Sequence, residues 1–351
     1  VSDWSSRVLF RSASTVANPS GSGFVRQLLP GNVVPRSRMD PLSLKVLPFH
    51  PNPNAPSTNQ FAPANNFSSL IPSYSNQGIF TVRADHRFGD KDSIFFRYSS
   101  NRNTLDNRGW GLGAADPAAR KDQRDNHNAI VNYTRLFGSS ILNDLRVGIT
   151  RQNLPFLHPS FDQGWPAQLG YPSIIPQDQF PPVDISGLLT IGSSGFSGGL
   201  RAQQITQITD SVIITRGRHN FKTGFDLRWW RLSFINRLQP SGLFQFNTGL
   251  TSNPQSPAGT GSAMASFLLG EVAGGNLGYR PFFQFRAIPF GAYFQDDWKV
   301  NRTLTLNLGI RYDISVGPSE MHNRYSSFDP FIANSTTGTS GQLRYAGTGG
   351  Y

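Results

Sequence analysis

The segment RHNFKTGFDLRWW, residues 218–230, shows the residue pattern from which the predicted fold follows. From Phe221 to Trp229 alternate residues are apolar or β-favouring, while Lys222, Asp226 and Arg228 lie between them. A period of two predicts a strand with one apolar and one polar face. A soluble strand buries the apolar face in protein, whereas a membrane barrel turns it toward lipid. The eight steps from Phe221 to Trp229 cover about 26 Å at roughly 3.3 Å each. This exceeds the usual five or six residues of a sandwich strand and favours the membrane.

The composition excludes several classes of protein. Of the 351 residues 37% are hydrophobic and only 15% charged, whereas soluble domains have about a quarter charged residues. No run of roughly 18 apolar residues predicts a transmembrane helix. Without cysteine there is no disulfide scaffold, thiolate metal site or cysteine nucleophile. The net charge of +11 comes from scattered arginines, which favours contact with water or an anionic surface over nucleic acid.

Short and long connections alternate along the chain. Hairpins are predicted at 78–100, 126–153, 204–234 and 288–316, and each turn contains Gly or Asn, which tolerate positive φ. Long segments at 102–124, 154–203 and 235–287 separate them, a pattern typical of outer-membrane barrels. We therefore predict an all-β fold: an antiparallel transmembrane β-barrel segment of about eight strands in four hairpins, part of a larger barrel with long extracellular loops.

Three regions follow from this pattern. Residues 1–77 are predicted to be an extended Pro/Asn-rich loop segment, 78–316 the partial barrel, and 317–351 a loop or incomplete C-terminal segment. Within the third long loop, 261–270 predicts a short helix that packs the loop down through Met264, Phe267 and Leu268. The first residues resemble no signal peptide, so we expect a piece of a longer chain.

The alternation divides the strand residues into two sets. The predicted lipid-facing residues are Phe80, Val82, Phe96, Phe221, Phe225, Leu227, Trp229, Leu306, Leu308 and Ile310. The predicted lumen-facing polar residues are Arg83, Asp85, Arg87, Arg97, Asp144, Arg146, Lys222, Asp226, Arg228, Arg311 and Asp313. Their charges either line a passage for a ligand or form cross-strand ion pairs that fix the register, and for any single residue we favour the second. The register of 204–216 and 288–300 stays open, because Ile occupies both faces of the first and Asp296 the apolar face of the second.

Several segments resemble the barrel region of Oar-like TonB-dependent outer-membrane receptors. They are LPGNVVPRSRMDPLSLKVLPFHPNPN (29–54), FTVRADHRFGDKDSIFFRYS (80–99), RHNFKTGFDLR (218–228), SFLLG (266–270) and YFQDDWKVNRTLTLNLGIRYD (293–313). The last is the most specific, because about twenty ordered positions agree with the family's pattern. Together the segments span most of the chain.

The resemblance implies ligand uptake across the bacterial outer membrane. In such receptors the barrel encloses a plug, through which the TonB energy-coupling complex acts; neither plug nor coupling box is visible in this chain. The ligand would be a glycan, a siderophore or a peptide, without cofactor or covalent chemistry. The long loops would set specificity, and the first is basic through Arg102, Arg108, Arg120, Lys121 and Arg124, suited to lipopolysaccharide or an anionic ligand.

Two other functions stay open. The same architecture serves a surface or adhesion barrel that transports nothing, and a soluble secreted β-sandwich that binds glycans also has alternating strands. An enzyme is not expected. Gly195-Phe196-Ser197-Gly198-Gly199 matches a nucleophile elbow, but its flanks predict a flexible loop and not a strand and a helix. The six histidines form no metal-binding spacing.

Overall fold

The computed structural model describes residues 8–57, 65–193 and 198–347. The catalytic-serine pattern at 195–199 thus lies largely outside the described residues. The helices are α1 (Pro41–Val46), α2 (Trp165–Leu169) and α3 (Ala263–Leu268), with 3-10 turns at Ser12–Ser14, Pro30–Asn32, Arg36–Arg38, Leu47–Phe49 and Gly113–Ala115. None of the described helices is long and apolar enough to cross a membrane. The strands, in chain order, are β1 (Val16–Ala17), β2 (Phe24–Val25), β3 (Tyr74–Arg87), β4 (Asp92–Asn107), β5 (Arg120–Phe137), β6 (Ile141–Leu157), β7 (Val183–Ile185), β8 (Gly198–Arg216), β9 (His219–Asn236), β10 (Leu243–Phe246), β11 (Gly274–Asn276), β12 (Phe283–Ala287), β13 (Phe290–Lys299), β14 (Thr305–Ile314), β15 (Ser319–Glu320), β16 (Ser326–Ala333) and β17 (Ser340–Tyr345).

Eight long strands form one antiparallel sheet. Their order is β14-β13-β9-β8-β6-β5-β4-β3. β12 lies on the same side of β9 as β13 and pairs with its C-terminal half, from Trp230 to Phe234. The four predicted hairpins and the antiparallel barrel segment are confirmed. Because the long strands lie in a single sheet, the β-sandwich interpretation is wrong. The barrel is not closed: β3 and β14 are the two edges of this sheet within the described residues.

The strands run beyond their predicted ends. β4 continues to Asn107 and β5 begins at Arg120, so the predicted loop 102–124 shrinks to 108–119. The prediction that this loop is basic was therefore wrong, because four of its five cationic residues belong to strands: Arg102, Arg120, Lys121 and Arg124. Arg102 bonds Asp125 at 2.8 Å and Arg120 pairs with Asp122 at 2.7 Å. Polar residues on both faces resemble a loop in sequence, yet the backbone ladder continues through them.

The turns at the opposite end are short. Gly138 and Gly217 adopt the predicted positive φ, at 70° and 62°. The fourth turn works differently: the Asn301 side chain accepts from the backbone N–H groups of Thr303 and Leu304 at 2.9 and 2.8 Å. An Asx-type bond thus replaces the left-handed residue expected there.

Ile288 and Pro289 interrupt the strand predicted at 288–300. Pro289 has no N–H to give the ladder, but its carbonyl accepts from Arg228 N–H at 3.1 Å. β12 and β13 keep the same register against β9 on either side, from Phe283↔Phe234 to Trp298↔His219. The break therefore shifts no side chain to the other face. The register of 204–216 is set as well, with Ile214 opposite Phe221.

Both terminal regions differ from the predicted loops. Residues 8–57 include α1 and pack against 158–193 and 240–271, at the long-loop end of the sheet, to form what we call the cap. The cap encloses an apolar core of Val46, Leu169, Tyr171, Phe180, Val183, Ile185, Ile191, Phe246 and Phe267. The helix predicted within 261–270 is present as α3, and its residue Phe267 is buried. At the other terminus β15 pairs with β12, and β16 with β17.

Candidate functional site

One face of the main sheet collects the predicted lumen-facing residues; we call it the polar face. Directly paired residues in a sheet lie on the same face, and the registers trace them from strand to strand. All the predicted charges except Lys222 fall into three consecutive rows, and Lys222 lies in the row below them. The upper row is Arg228–Gln207–Gly148–Ile130–Arg97–Arg83, the middle row Asp313–Gly291–Asp226–Thr209–Arg146–Asn132–Phe95–Asp85, and the lower row Arg311–Tyr293–Gly224–Ser211–Asp144–Thr134–Ser93–Arg87.

Eight charged residues of the polar face form four pairs, each within one strand. Arg83 bonds Asp85 at 2.6 Å and Arg311 bonds Asp313 at 2.7 Å, each two residues apart. Both DLR motifs behave the same way, with Asp226 accepting from Arg228 at 3.1 Å and Asp144 lying 3.9 Å from Arg146. The expected cross-strand ion pairs are therefore not how these residues fix the register. Water screens such half-exposed pairs, so they contribute little to stability.

Neutral side chains make the links between strands. Asp144 accepts from Asn132 at 3.0 Å and from Thr134 at 2.9 Å, and Arg146 donates to the Asn132 oxygen at 3.0 Å. Gln207 likewise donates to Asp226 at 2.9 Å. These amides and hydroxyls were not among the predicted site residues, although their alternation with apolar residues is visible in the sequence. They link two of the ion pairs to the neighbouring strand.

A groove of about 580 Å³ opens on this face between β3 and β6. Arg83, Arg87 and Arg146 line it against the carboxylates of Asp85 and Asp144. The Arg83 guanidinium also lies 4.1 Å above the centre of the Phe95 ring. The groove can accept an anionic or hydrogen-bonding group.

A second cleft, of about 440 Å³, lies at the long-loop end beyond β9. Arg237, Arg280, Arg324, Tyr279, Phe282 and Asp178 line it. Arg237 bonds Asp178 at 3.2 Å and Arg324 donates to the Phe282 carbonyl at 2.7 Å, while the Tyr279 ring is 90% exposed. These residues lie in or beyond the two predicted specificity loops, but their convergence depends on folding. Arginines and an exposed ring together suit an anionic or sugar-like ligand.

Buried polar groups attach the cap to the strand ends. The Asp116 carboxylate accepts from the backbone N–H groups of Trp110, Leu112, Ala118 and Ala119 at 2.7–3.0 Å. The Asp116 carbonyl in turn lies 2.6 Å from His158 Nε2, just beyond β6. Burial lowers the pKa of His158 below its ordinary value. The loop above β4 and β5 is therefore held in one shape by its own polar side chains.

The opposite face of the sheet, the apolar face, contains every predicted lipid-facing residue, by the same registers. Most of its other residues are apolar too, but Asp210 and Asp296 are not. Asp210 accepts from the Asn143 amide at 2.6 Å, and Asp296 lies 2.7 Å from His219 Nδ1. The predicted conflict at Asp296 is thus real, and each of the two aspartates has one hydrogen-bonding partner on the same face.

A single antiparallel sheet with one polar and one apolar face, short turns at one end and long loops at the other, defines the class of outer-membrane β-barrels. The Outer membrane beta barrel domain family matches residues 2–351, and this chain belongs to that family. Its location is accordingly the bacterial outer membrane. A solved structure, the outer membrane transporter YddB from Escherichia coli, is similar at 10% identity and a TM-score of 0.45. That likeness covers 68% of this chain and 27% of the transporter. The search of curated proteins returned no match.

Proposed function

We propose that this chain forms part of an outer-membrane receptor that captures a ligand at its outer end and passes it along the polar face, with uptake energised as in Oar-like TonB-dependent receptors. The observation behind the proposal is the set of charged rows that crosses the sheet, from Arg83 and Asp85 on one edge strand to Arg311 and Asp313 on the other. The coupling complex would act through a plug, as in those receptors.

The chemistry of these rows suits passage more than tight binding. Each ion pair lies within one strand and is about half exposed, so that water weakens the attraction between its charges. A passing ligand can therefore exchange partners with Arg83 or Arg311 at little cost in free energy. Amide and hydroxyl groups between the charges offer hydrogen bonds in both directions. Capture is assigned to the outer cleft, where Arg280 and Tyr279 are exposed.

Growth on defined nutrients tests the proposal. The complete gene is deleted in its own bacterium, and the strain is supplied with oligosaccharides, ferric siderophores or oligopeptides as the sole limiting carbon or iron source. We expect loss of growth on one class, restored by the wild-type gene but only weakly by the cleft variant Tyr279→Ala/Arg280→Gln. Arg36→Gln, an exposed arginine of the cap, is the control variant.

An adhesion barrel is the second candidate, favoured by the folded cap at the outer end. An uncoupler of the proton-motive force separates the two functions. Energised transport predicts that radiolabelled nutrient still binds to cells but no longer accumulates. Unchanged growth of the deletion strain on every nutrient, with loss of attachment to glycan-coated surfaces, would support adhesion and refute uptake.

A further inference from the structure

A row of directly paired residues crosses the apolar face at its upper limit. Traced through the registers, this rim row is Arg286–Arg231–Gln204–Arg151–His127–Ser100–Phe80. Arg151, Arg231 and Arg286 are exposed. On this face the apolar residues of β6, β8 and β9 therefore end at the same level, where positively charged side chains follow.

The height of the rim row agrees with the thickness of the membrane. The lowest row of the apolar face pairs Ile141 with Ile214 and Ile214 with Phe221. From Phe221 to Arg231 is ten residues, about 33 Å along the strand, or about 25 Å of height at a tilt near 40°. Outer-membrane barrels have an apolar band about 25 Å tall. The arginines then lie where lipid headgroups begin, on the side of the long loops.

The charge of the rim row is uncompensated. Among the described residues no carboxylate forms an ion pair with Arg151, Arg231 or Arg286; Arg151 donates only to the Gln204 amide oxygen, at 3.2 Å. Arg231 and Arg286 are direct cross-strand partners. Two positive charges in directly opposite positions repel each other and destabilise the sheet.

Two carboxylates that neighbour this row by register are already engaged. Asp125, one row higher, bonds Arg102 at 2.8 Å, and Glu320 accepts from three backbone N–H groups at 2.7–3.0 Å. An external anion is therefore the missing partner of this row.

We propose that the rim row binds the phosphate groups of lipopolysaccharide in the outer leaflet. The guanidinium fork matches a phosphate bidentately, and two forks side by side fit one such group between β9 and β12. The Gln204 amide and the His127 ring lie in the same row as further hydrogen-bonding groups. The site goes beyond the proposed uptake and depends only on the apolar face meeting lipid.

Binding of purified lipid A tests the site. The protein containing this chain is purified in detergent and titrated with bis-phosphorylated lipid A, or with lipid A of the same acyl chains after removal of both phosphates. We compare the wild type with Arg231→Gln/Arg286→Gln. The control is Arg216→Gln/Arg302→Gln, which removes the same charge at the short-turn end, where both arginines are exposed. Heat-modified mobility on gels confirms folding, and the rim variant should fold at least as well because it loses a like-charge contact.

We expect the wild type and the control to bind the phosphorylated lipid at least about tenfold more tightly than the dephosphorylated one, and the rim variant to lose this preference. Equal binding of both lipids by the wild type, or a preference unchanged in the rim variant, would overturn the proposal. So would complete displacement of the lipid by equimolar inorganic phosphate, which would mean a site for free anions. Nutrient uptake by the rim variant should stay normal, so failure here is distinct from failure of the proposed function.

Discussion

The substitution Phe225→Arg tests which face of the sheet meets lipid. Phe225 lies on the apolar face, opposite Asp210 on β8 and Ala292 on β13. It is four residues above Phe221, so it lies about 10 Å into a band about 25 Å tall, near the middle of the bilayer. An arginine at that depth should lower the free energy of unfolding by about 2–4 kcal/mol.

Two controls sharpen this prediction. Thr209→Arg places the same side chain on the polar face between Asp226 and Arg146. It should cost less than about 1 kcal/mol, because it meets water and its attraction to Asp226 offsets its repulsion from Arg146. Phe221→Arg lies at the edge of the band and should cost about 0–1 kcal/mol.

The assay is guanidinium unfolding of the protein refolded in phosphatidylcholine vesicles, followed by tryptophan fluorescence. A larger loss for Thr209→Arg than for Phe225→Arg would mean that the two faces are assigned the wrong way round. Equal losses for Phe221→Arg and Phe225→Arg would refute the proposed depth.

Two further predictions concern polar groups in unusual surroundings. Asp210→Leu/Asn143→Leu removes both partners of a hydrogen bond on the apolar face. We expect the free energy of unfolding in the same vesicles to rise by about 1 kcal/mol, because no polar group is then left facing lipid. A fall of that size in the free energy of unfolding would show that this patch meets water or protein. Burial lowers the pKa of His50 in the cap to about 4 from 6.5. As pH falls, the unfolded chain is therefore protonated before the folded cap. The cap should lose up to about 3 kcal/mol of stability between about pH 6.5 and about pH 4. Protease cleavage within residues 8–57 should accelerate over that range, and His50→Phe should flatten the dependence; a pH profile identical in the variant would contradict the assignment.

The sequence was sufficient for features that depend on neighbouring residues. A period of two, as from Phe221 to Trp229, determines the faces of a strand wherever the strand lies in the sheet. Short turns with Gly138, Gly217 or Asn301 pair adjacent strands, so the four hairpins were predictable. Strand ends were not, because polar residues such as Arg102 and Arg124 continue the ladder above the membrane while resembling a loop.

The relations between distant residues were beyond prediction. The rows of the polar face combine residues from separate hairpins, and each row depends on a register that no local pattern sets. In the cap, the Ser43 hydroxyl donates to the Phe267 carbonyl at 2.6 Å across 224 positions of sequence. The spacing of Arg83 and Asp85 was visible, but whether such a residue pairs along its strand or across to the next depends on packing.

The long ends of β4 and β5 have a consequence for whatever approaches the cell from outside. From His127, in the rim row, to Arg120 is seven residues, which raises the tip of this hairpin about 18 Å above the lipid boundary. Paired backbone continues over that whole distance, and Asp116 holds the loop at its summit. An antibody or a phage fibre would therefore contact a hairpin of fixed shape. A peptide epitope inserted into the loop at its tip would lie outside the headgroup layer.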